Sequence, residues 1–164
     1  MRISDIKLLV YDCDGVLTDN RVLVDENGFE SVFFHRGDGM AVKLIKKLGI
    51  QQIILSTELN SVVRVRAEKL NIPVIHGVEN KKKHLISYCQ ENYISNAKVM
   101  YIGNDLNDID VMQWCGIRGC PLDAEIEVKN ICQWVSKKKG GYGVIRDLYR
   151  KLQKETLYEF KNLK

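Results

Sequence analysis

The chain has 164 residues, 45% of them apolar and 28% charged, with a formal net charge of +4. That balance excludes a disordered or fibrous chain and fits one globular domain. No apolar run reaches the roughly 20 residues of a spanning helix, and the start "MRISDIK" lacks the pattern of a secretory leader, so a cytoplasmic location is expected.

"KLLVY" (7–11) is a continuous apolar run bounded by turn residues and predicts a buried parallel strand. "RVLV" and "SVFF" flank "DENGFE", where Asn27-Gly28 predicts a hairpin over about 21–34. Ala41, Leu44, Ile45 and Leu48 share one helical face over 39–48, and Gly49 is placed to end that helix. "QQIIL" (51–55) predicts a second buried strand, and 60–70 a helix capped by Asn60 or Ser61. "PVIH" predicts a third strand, 80–91 a helix, "KVMYIG" (98–103) a fourth strand, and about 106–114 a helix. Short strands near 117–119 and 132–135 precede a last helix carrying Ile145, Leu148, Tyr149 and Leu152. The tail after about Lys154 is expected to be weakly ordered.

Strands alternating with helices predict an α/β fold, a parallel sheet with helices on both faces. Cys13, Cys89, Cys115, Cys120 and Cys132 are odd in number and form no C-x-x-C pair, so buried reduced thiols are expected rather than disulfides or a zinc ribbon. The lysine clusters 81–83 and 137–139 come without a helix-turn-helix, zinc or RNA-binding signature, and no nucleic-acid or membrane partner is expected. A mildly basic chain suits a small anionic substrate.

Ligands of open α/β sheets bind beyond the carboxyl ends of the strands. Asp12 follows the first predicted strand, Ser56 the second, and Asn104, Asp105 and Asp108 the fourth. Carboxylates gathered on one edge repel; two unit charges about 4 Å apart cost roughly 4 kcal/mol at an effective dielectric near 20. A cation relieves that cost. An all-oxygen donor set, with no His or Cys at metal spacing, favours Mg²⁺, which commonly also coordinates phosphate. A carboxylate beside a bound phosphate can act as nucleophile.

"DCDGVLTD" resembles the D-x-D-G-x-[LIV]-T-D signature of haloacid-dehalogenase-type phosphatases. Ser56 after "IIL", Lys81 in "HGVENK" and the acidic "YIGNDLND" fit the family's other three motifs in order, so the resemblance covers roughly residues 6–150. It implies a Rossmann-like core over residues 1–164, a β-hairpin after strand 1, and a C-terminal helix and tail at about 142–164. It implies that Asp12 is the nucleophile and forms an aspartyl-phosphate, and that Asp14 is the acid and then the base. Ser56 and Lys81 would hold the phosphoryl group, with Lys82 adjacent as the alternative by spacing. Mg²⁺ would be held by Asp12, the Asp14 carbonyl and Asp105, with Asn104 as the alternative ligand and Asp108 behind. The family commonly has Gly-Asp where this chain has Gly103-Asn104-Asp105.

The stretches between Asp19 and Ser56 and between Ser56 and Lys81 are too short for a cap domain, so the chain resembles the capless subclass. That subclass forms homotetramers in which a neighbouring subunit closes the site. "STELNSVVRVRAEKL" and "HRGDGMAVKLIKKLGI" look like the branch acting on nine-carbon ulosonic acids. The implied activity is hydrolysis of 2-keto-3-deoxynononate 9-phosphate. The alternatives are 3-deoxy-D-manno-octulosonate 8-phosphate, N-acetylneuraminate 9-phosphate, and a non-catalytic assembly domain like that of acylneuraminate cytidylyltransferases. Gly15, Thr57, Glu58, Arg64 and Lys69 are the expected substrate contacts. "GGYGVIRDL" (140–148) resembles a glycine-rich tail that packs across a neighbouring site in the octulosonate enzymes.

Overall fold

Four apolar residues with no polar break form the central strand, and burial on both faces is the reason. In the computed structural model, which describes residues 5–162, β1 (Leu8–Tyr11) is buried at every position. The residues expected in the N-terminal stretch 1–4 and at 163–164 lie outside the described range.

Strand β1 pairs in parallel with β4 (Gln51–Leu55) on one side and β6 (Val99–Ile102) on the other. β5 (Val74–Ile75), β7 (Ile117–Cys120) and β8 (Trp134–Val135) complete a six-stranded sheet in the order β5-β4-β1-β6-β7-β8, with every pairing parallel. Strand alternation divides the core. Leu9 and Tyr11 face the cluster built with Ala41, Val42, Ile45, Ile145 and Leu148, whereas Leu8 and Val10 face the one built with Leu85, Val111 and Met112. Burying each such side chain stabilises by about 1.5–3 kcal/mol. Tyr11 brings a hydroxyl into the core, where it donates to Gln52 at 2.8 Å, and Gln52 in turn donates to the Val42 carbonyl.

Helices α1 (Arg36–Lys47), α2 (Val62–Leu70), α3 (Lys81–Glu91), α4 (Ile109–Trp114), α5 (Ile126–Ile131) and α6 (Val144–Asn162) cover the sheet. Helix α1 starts before the expected residue 39, and it buries Ala41, Val42 and Ile45 while Leu48 is exposed. Packing against α6 rotates its buried face from the one the period suggests. The short α5 escaped the sequence, since one turn and a half carries too few residues for a period. Helix α6 runs to Asn162, past the expected loss of order after Lys154. Ser61 holds the cap position of α2 without a side-chain cap bond, Asn60 just before it accepts from the Val62 amide at 3.0 Å, and Asn80 caps α3 through the Lys83 amide.

The hairpin after β1 is real but short. Strand β2 (Leu23–Val24) pairs antiparallel with β3 (Glu30–Ser31) in a separate two-stranded sheet. Its turn spans Asp25–Phe29, longer than a two-residue Asn-Gly turn, because the Asp25 carboxylate accepts from the amides of both Asn27 and Phe29. Among the described residues, no domain interrupts the chain between Ser56 and Lys81.

Candidate active site

The first and second neighbours of β1 make the chain diverge to both sides of it, so β1 lies at the switch point of the sheet. Its carboxyl end delivers Asp12, whose amide donates to the Ile102 carbonyl of β6 at 2.9 Å. The chain then folds into a tight turn over Cys13–Leu17, and Gly15 adopts φ +77 there. Only glycine fits: a Cβ at Gly15 would overlap the Asn104 side chain. The glycine-rich segment before α6 lies on this turn. Gly141 donates to the Val16 carbonyl at 3.1 Å and Gly140 to Asp123 at 2.8 Å. A Cβ at Gly140 would overlap the Gly15 carbonyl. In this chain the segment therefore braces its own Asp12–Asp14 turn.

Asp12, Lys81 and Asp108 form a buried ionic cluster. Lys81 Nζ stands 2.9 Å from Asp12 Oδ1 and 2.7 Å from Asp108 Oδ1. Lys81 opens α3, where the capping side chain of Asn80 fixes the helix start. Lys82 points elsewhere and pairs with the exposed Asp110 at 2.9 Å. Asp108 also accepts from the Tyr101 hydroxyl at 2.8 Å and from the amides of Asn104 and Asp105. Its carboxylate is saturated, and it orients its neighbours rather than facing a ligand.

One ammonium serves two buried carboxylates, which leaves an excess of negative charge. The Asp12 carboxyl is accordingly pushed up to about 8, first by burial and then by Asp108; Lys81 and the Cys13 amide work against both. Burial alone would lower the Lys81 ammonium, but Asp12 and Asp108 overcome it and hold it above its usual range. Asp14, half-buried, is raised mainly by burial, and its Oδ1 accepts from the Thr18 hydroxyl at 3.0 Å. Cys13, between the two aspartates, is buried in the core and away from the cavity.

A cavity of about 280 Å³ opens beside this cluster, lined at its floor by Asp12, Asp14, Ser56, Thr57, Asn104 and Asp105. Ser56 is buried at the end of β4, and its hydroxyl accepts from the Glu58 amide at 3.1 Å. Glu58 lines the cavity too. The expected contacts Gly15, Arg64 and Lys69 do not line it. Gly15 packs beneath Asn104. Helical phase turns the other two outward: Arg64 pairs with Glu68 at 2.6 Å on the exposed face of α2, and Lys69 is exposed. Arg21, Glu30 and Asn60 line the cavity instead, unforeseen. The available signal was position alone: Arg21 is two residues beyond the Asp-rich motif, and Glu30 lies on the returning hairpin strand.

Oxygen donors at the floor fit a hard divalent cation. Asn104 Oδ1 is buried with no hydrogen-bond partner, an unmet acceptor beside Asp12 and Asp14. Asp105, by contrast, uses its carboxylate to cap the turn over Leu106–Asp108, accepting from the Leu106 amide at 2.6 Å. Among the described residues no three His, Cys, Asp or Glu side chains converge as a metal cluster.

Residues 40–148 match the family model of haloacid dehalogenase-like hydrolases. The chain is 30% identical over 148 residues to the 3-deoxy-D-manno-octulosonate 8-phosphate phosphatase of Haemophilus influenzae, covering 90% of this chain and 82% of that one. It is 27% identical over 144 residues to N-acylneuraminate cytidylyltransferase A of Danio rerio, covering 87% of this chain. It spans only 34% of the length of that cytidylyltransferase. Among solved structures, it superposes on the 3-deoxy-D-manno-octulosonate 8-phosphate phosphatase of Moraxella catarrhalis, in complex with magnesium, phosphate and the octulosonate. There the TM-score is 0.89 and the identity 26%, over 93% of this chain and 88% of that one.

Proposed function

Because this chain belongs to the haloacid dehalogenase-like hydrolase family, and is a capless phosphoric monoester hydrolase of the octulosonate-phosphatase type, we propose that it cleaves the phosphate from a sugar acid, 2-keto-3-deoxynononate 9-phosphate. The observation that carries the proposal is the buried Asp12–Lys81–Asp108 cluster beside the unpartnered Asn104 Oδ1.

Asp12 attacks phosphorus. Its Oδ1 accepts from Lys81 and the Cys13 amide, which leaves Oδ2 free for the new bond. The P–O bond to the sugar breaks, and Asp14, whose carboxyl burial raises above its usual range, gives its proton to the departing oxygen. Asp14, now ionised, takes a proton from the water that attacks the aspartyl-phosphate, and phosphate leaves with Asp12 restored. Ser56 and Lys81 hold the phosphoryl oxygens as charge develops on them. Mg²⁺ would be held by Asp12, the Asp14 carbonyl and Asn104, and would neutralise charge between the carboxylate and the phosphoryl group. The unmet acceptor favours Asn104 over Asp105 as the ligand.

Thr57 and Glu58 stand where sugar hydroxyls would emerge. A nine-carbon substrate is supported by the likeness to the cytidylyltransferase. The eight-carbon 3-deoxy-D-manno-octulosonate 8-phosphate is the second reading, favoured by the name and near full-length match of the Haemophilus relative. A homotetramer in which hairpins meet completes the proposal, supported by the apolar residues the hairpin exposes. A purely structural role would waste the buried ionic cluster.

Phosphate release from the nine-carbon, eight-carbon and N-acetylneuraminate phosphates, with Mg²⁺, tests the reading. Wild type is expected to turn over the nine-carbon ester fastest. Asp12→Asn is expected to fold and release nothing, and Asp14→Asn to lose about 10²–10⁴-fold. Full activity of Asp12→Asn rejects it as the nucleophile.

A further inference from the structure

The third aspartate of "DCDGVLTD" takes no part in the chemistry above, and the structure shows what it does instead. Asp19 turns away from Asp12 and Asp14 and grips Arg21: its Oδ2 accepts from Arg21 Nε at 2.9 Å and also from Nη2, while Oδ1 accepts from the Arg21 amide at 3.4 Å. Between them Asn20 takes φ +63, and its amide donates to the Thr18 hydroxyl, which itself donates to Asp14. The turn that carries Asp14 is thus continuous, by hydrogen bonds, with the turn that aims Arg21.

Arg21 lines the cavity, and among the described lining residues it is the one Lys, Arg or His. Lys81 lies behind Asp12, committed to the phosphoryl end. Arg21 sits at the open rim, with 75% of its side chain exposed. The rest of the rim is acidic through Glu30 and Glu58. Such a rim accepts hydroxyls but repels a carboxylate, unless a cation compensates. Asp19 occupies the Nε–Nη2 edge of the guanidinium, so the remaining donors stay free in a fixed fork, the geometry that pairs with a carboxylate through two bonds.

We infer that Arg21, held by Asp19, is the residue that recognises the carboxylate of the substrate and selects acids over neutral sugar phosphates. The inference rests on the sugar-acid reading proposed above. In a nine-carbon ulosonate esterified at the far end, carboxylate and phosphate lie at opposite ends of the carbon chain. One end can reach the buried Asp12–Lys81 floor while the other meets the rim. Arg21 does not touch the reacting atoms; its effect falls on KM.

The test compares the ulosonate 9-phosphate with its C1 amide, which removes the charge and keeps the rest. Wild type is expected to prefer the acid. Arg21→Ala is expected to raise KM for the acid about 10–100-fold, or about 1.4–2.8 kcal/mol, within the range of a charge-assisted hydrogen bond. It would leave kcat within about twofold, so that the preference over the amide collapses. Arg21→Lys keeps the charge without the fork and is expected to recover part of the preference. Asp19→Asn, which frees the guanidinium, is expected to raise KM for the acid less than Arg21→Ala. Equal losses on acid and amide, or no loss on either, overturn the assignment of Arg21 while leaving the sugar-acid reading intact. A wild type that turns over neutral sugar phosphates and ignores every sugar acid overturns the reading, and the Arg21 assignment with it.

Discussion

The floor of the cavity and its hairpin rim obey different rules of construction. At the floor, Asp12, Lys81 and Asp108 are buried, and every charged group is tied to at least one other. At the rim, Leu23, Phe29 and Phe33 are 65%, 72% and 74% exposed, and the two strands contribute two residues each. The hairpin is tied to the sheet's loops through Asn60, which donates to Glu30 at 2.9 Å. Reacting groups need atoms fixed within tenths of an ångström, which burial and saturated hydrogen bonding supply. Selection among substrates tolerates an exposed and adjustable surface.

The largest expected effect breaks the floor. Lys81→Ala removes the cation between two buried carboxylates, and the uncompensated charge is expected to cost about 3–5 kcal/mol. Urea unfolding measures it, and activity is expected to vanish with it. Arg64→Ala, which breaks an exposed pair on α2, is expected to cost under about 1 kcal/mol. Equal losses from the two variants would erase the distinction between floor and surface.

The same contrast explains what could be read in the sequence. Asp12, Ser56 and the "GNDLND" group lie on one edge because each follows an apolar run, and strand ends of a parallel sheet share that edge, whereas Lys81 reaches Asp12 from the start of α3. Lys81 and Lys82 were inseparable by spacing. The helix start at Asn80 decides between them, turning the first inward and the second to Asp110. Residue type does not announce that Asp105 caps the turn over Leu106–Asp108 while Asn104 Oδ1 stays without a partner, the difference on which the proposal of Asn104 as ligand rests. Arg64 and Lys69 were misplaced because proximity in sequence to Ser56 ignores the phase of α2. Arg21 before the hairpin, Glu30 on its returning strand and Asn60 in the loop before α2 meet at the cavity through tertiary placement, which no periodicity encodes.

The next effect sharpens the charge balance of the floor. The Asp12 carboxyl, raised from 3.8 to about 8 without metal, binds a proton in the folded chain across a range where the unfolded chain has lost it. Stability without a divalent ion is therefore expected to fall as pH rises from about 4 to about 8. Asp38, raised to about 6, and Asp14, raised by burial, have the same sign, so the share of Asp12 is the difference between wild type and Asp12→Asn. Thermal melts in EDTA read the slope, and Asp12→Asn is expected to flatten it between pH 6 and 8. Adding Mg²⁺ at pH 8, at about 100 times its dissociation constant, is expected to stabilise by about 2.7 kcal/mol, or roughly 5–10 °C in a chain of this size. A flat EDTA profile in wild type would show that the floor carries no unbalanced charge.

The smallest effect on the single chain comes from the rim, and it is the one that separates the two regions most sharply. Leu23→Glu replaces a side chain that is 65% exposed, so the isolated fold is expected to change by less than about 0.5 kcal/mol. A two-stranded hairpin gains little from its own pairing, yet this one presents Leu23, Phe29 and Phe33 to solvent. If copies of the chain cover those residues, a charge placed among them must be desolvated in the assembly, and association fails while the fold survives. Sedimentation velocity is expected to show wild type as a tetramer and Leu23→Glu as a smaller species with the same melting temperature at low protein concentration. Because Arg21, Val22, Glu30 and Val32 line the cavity from this hairpin, the same variant is expected to raise KM for the sugar acid several-fold with little change in kcat. A variant that stays tetrameric, or a wild type that sediments as a monomer, would detach the hairpin from assembly and leave it a rim of the single chain alone.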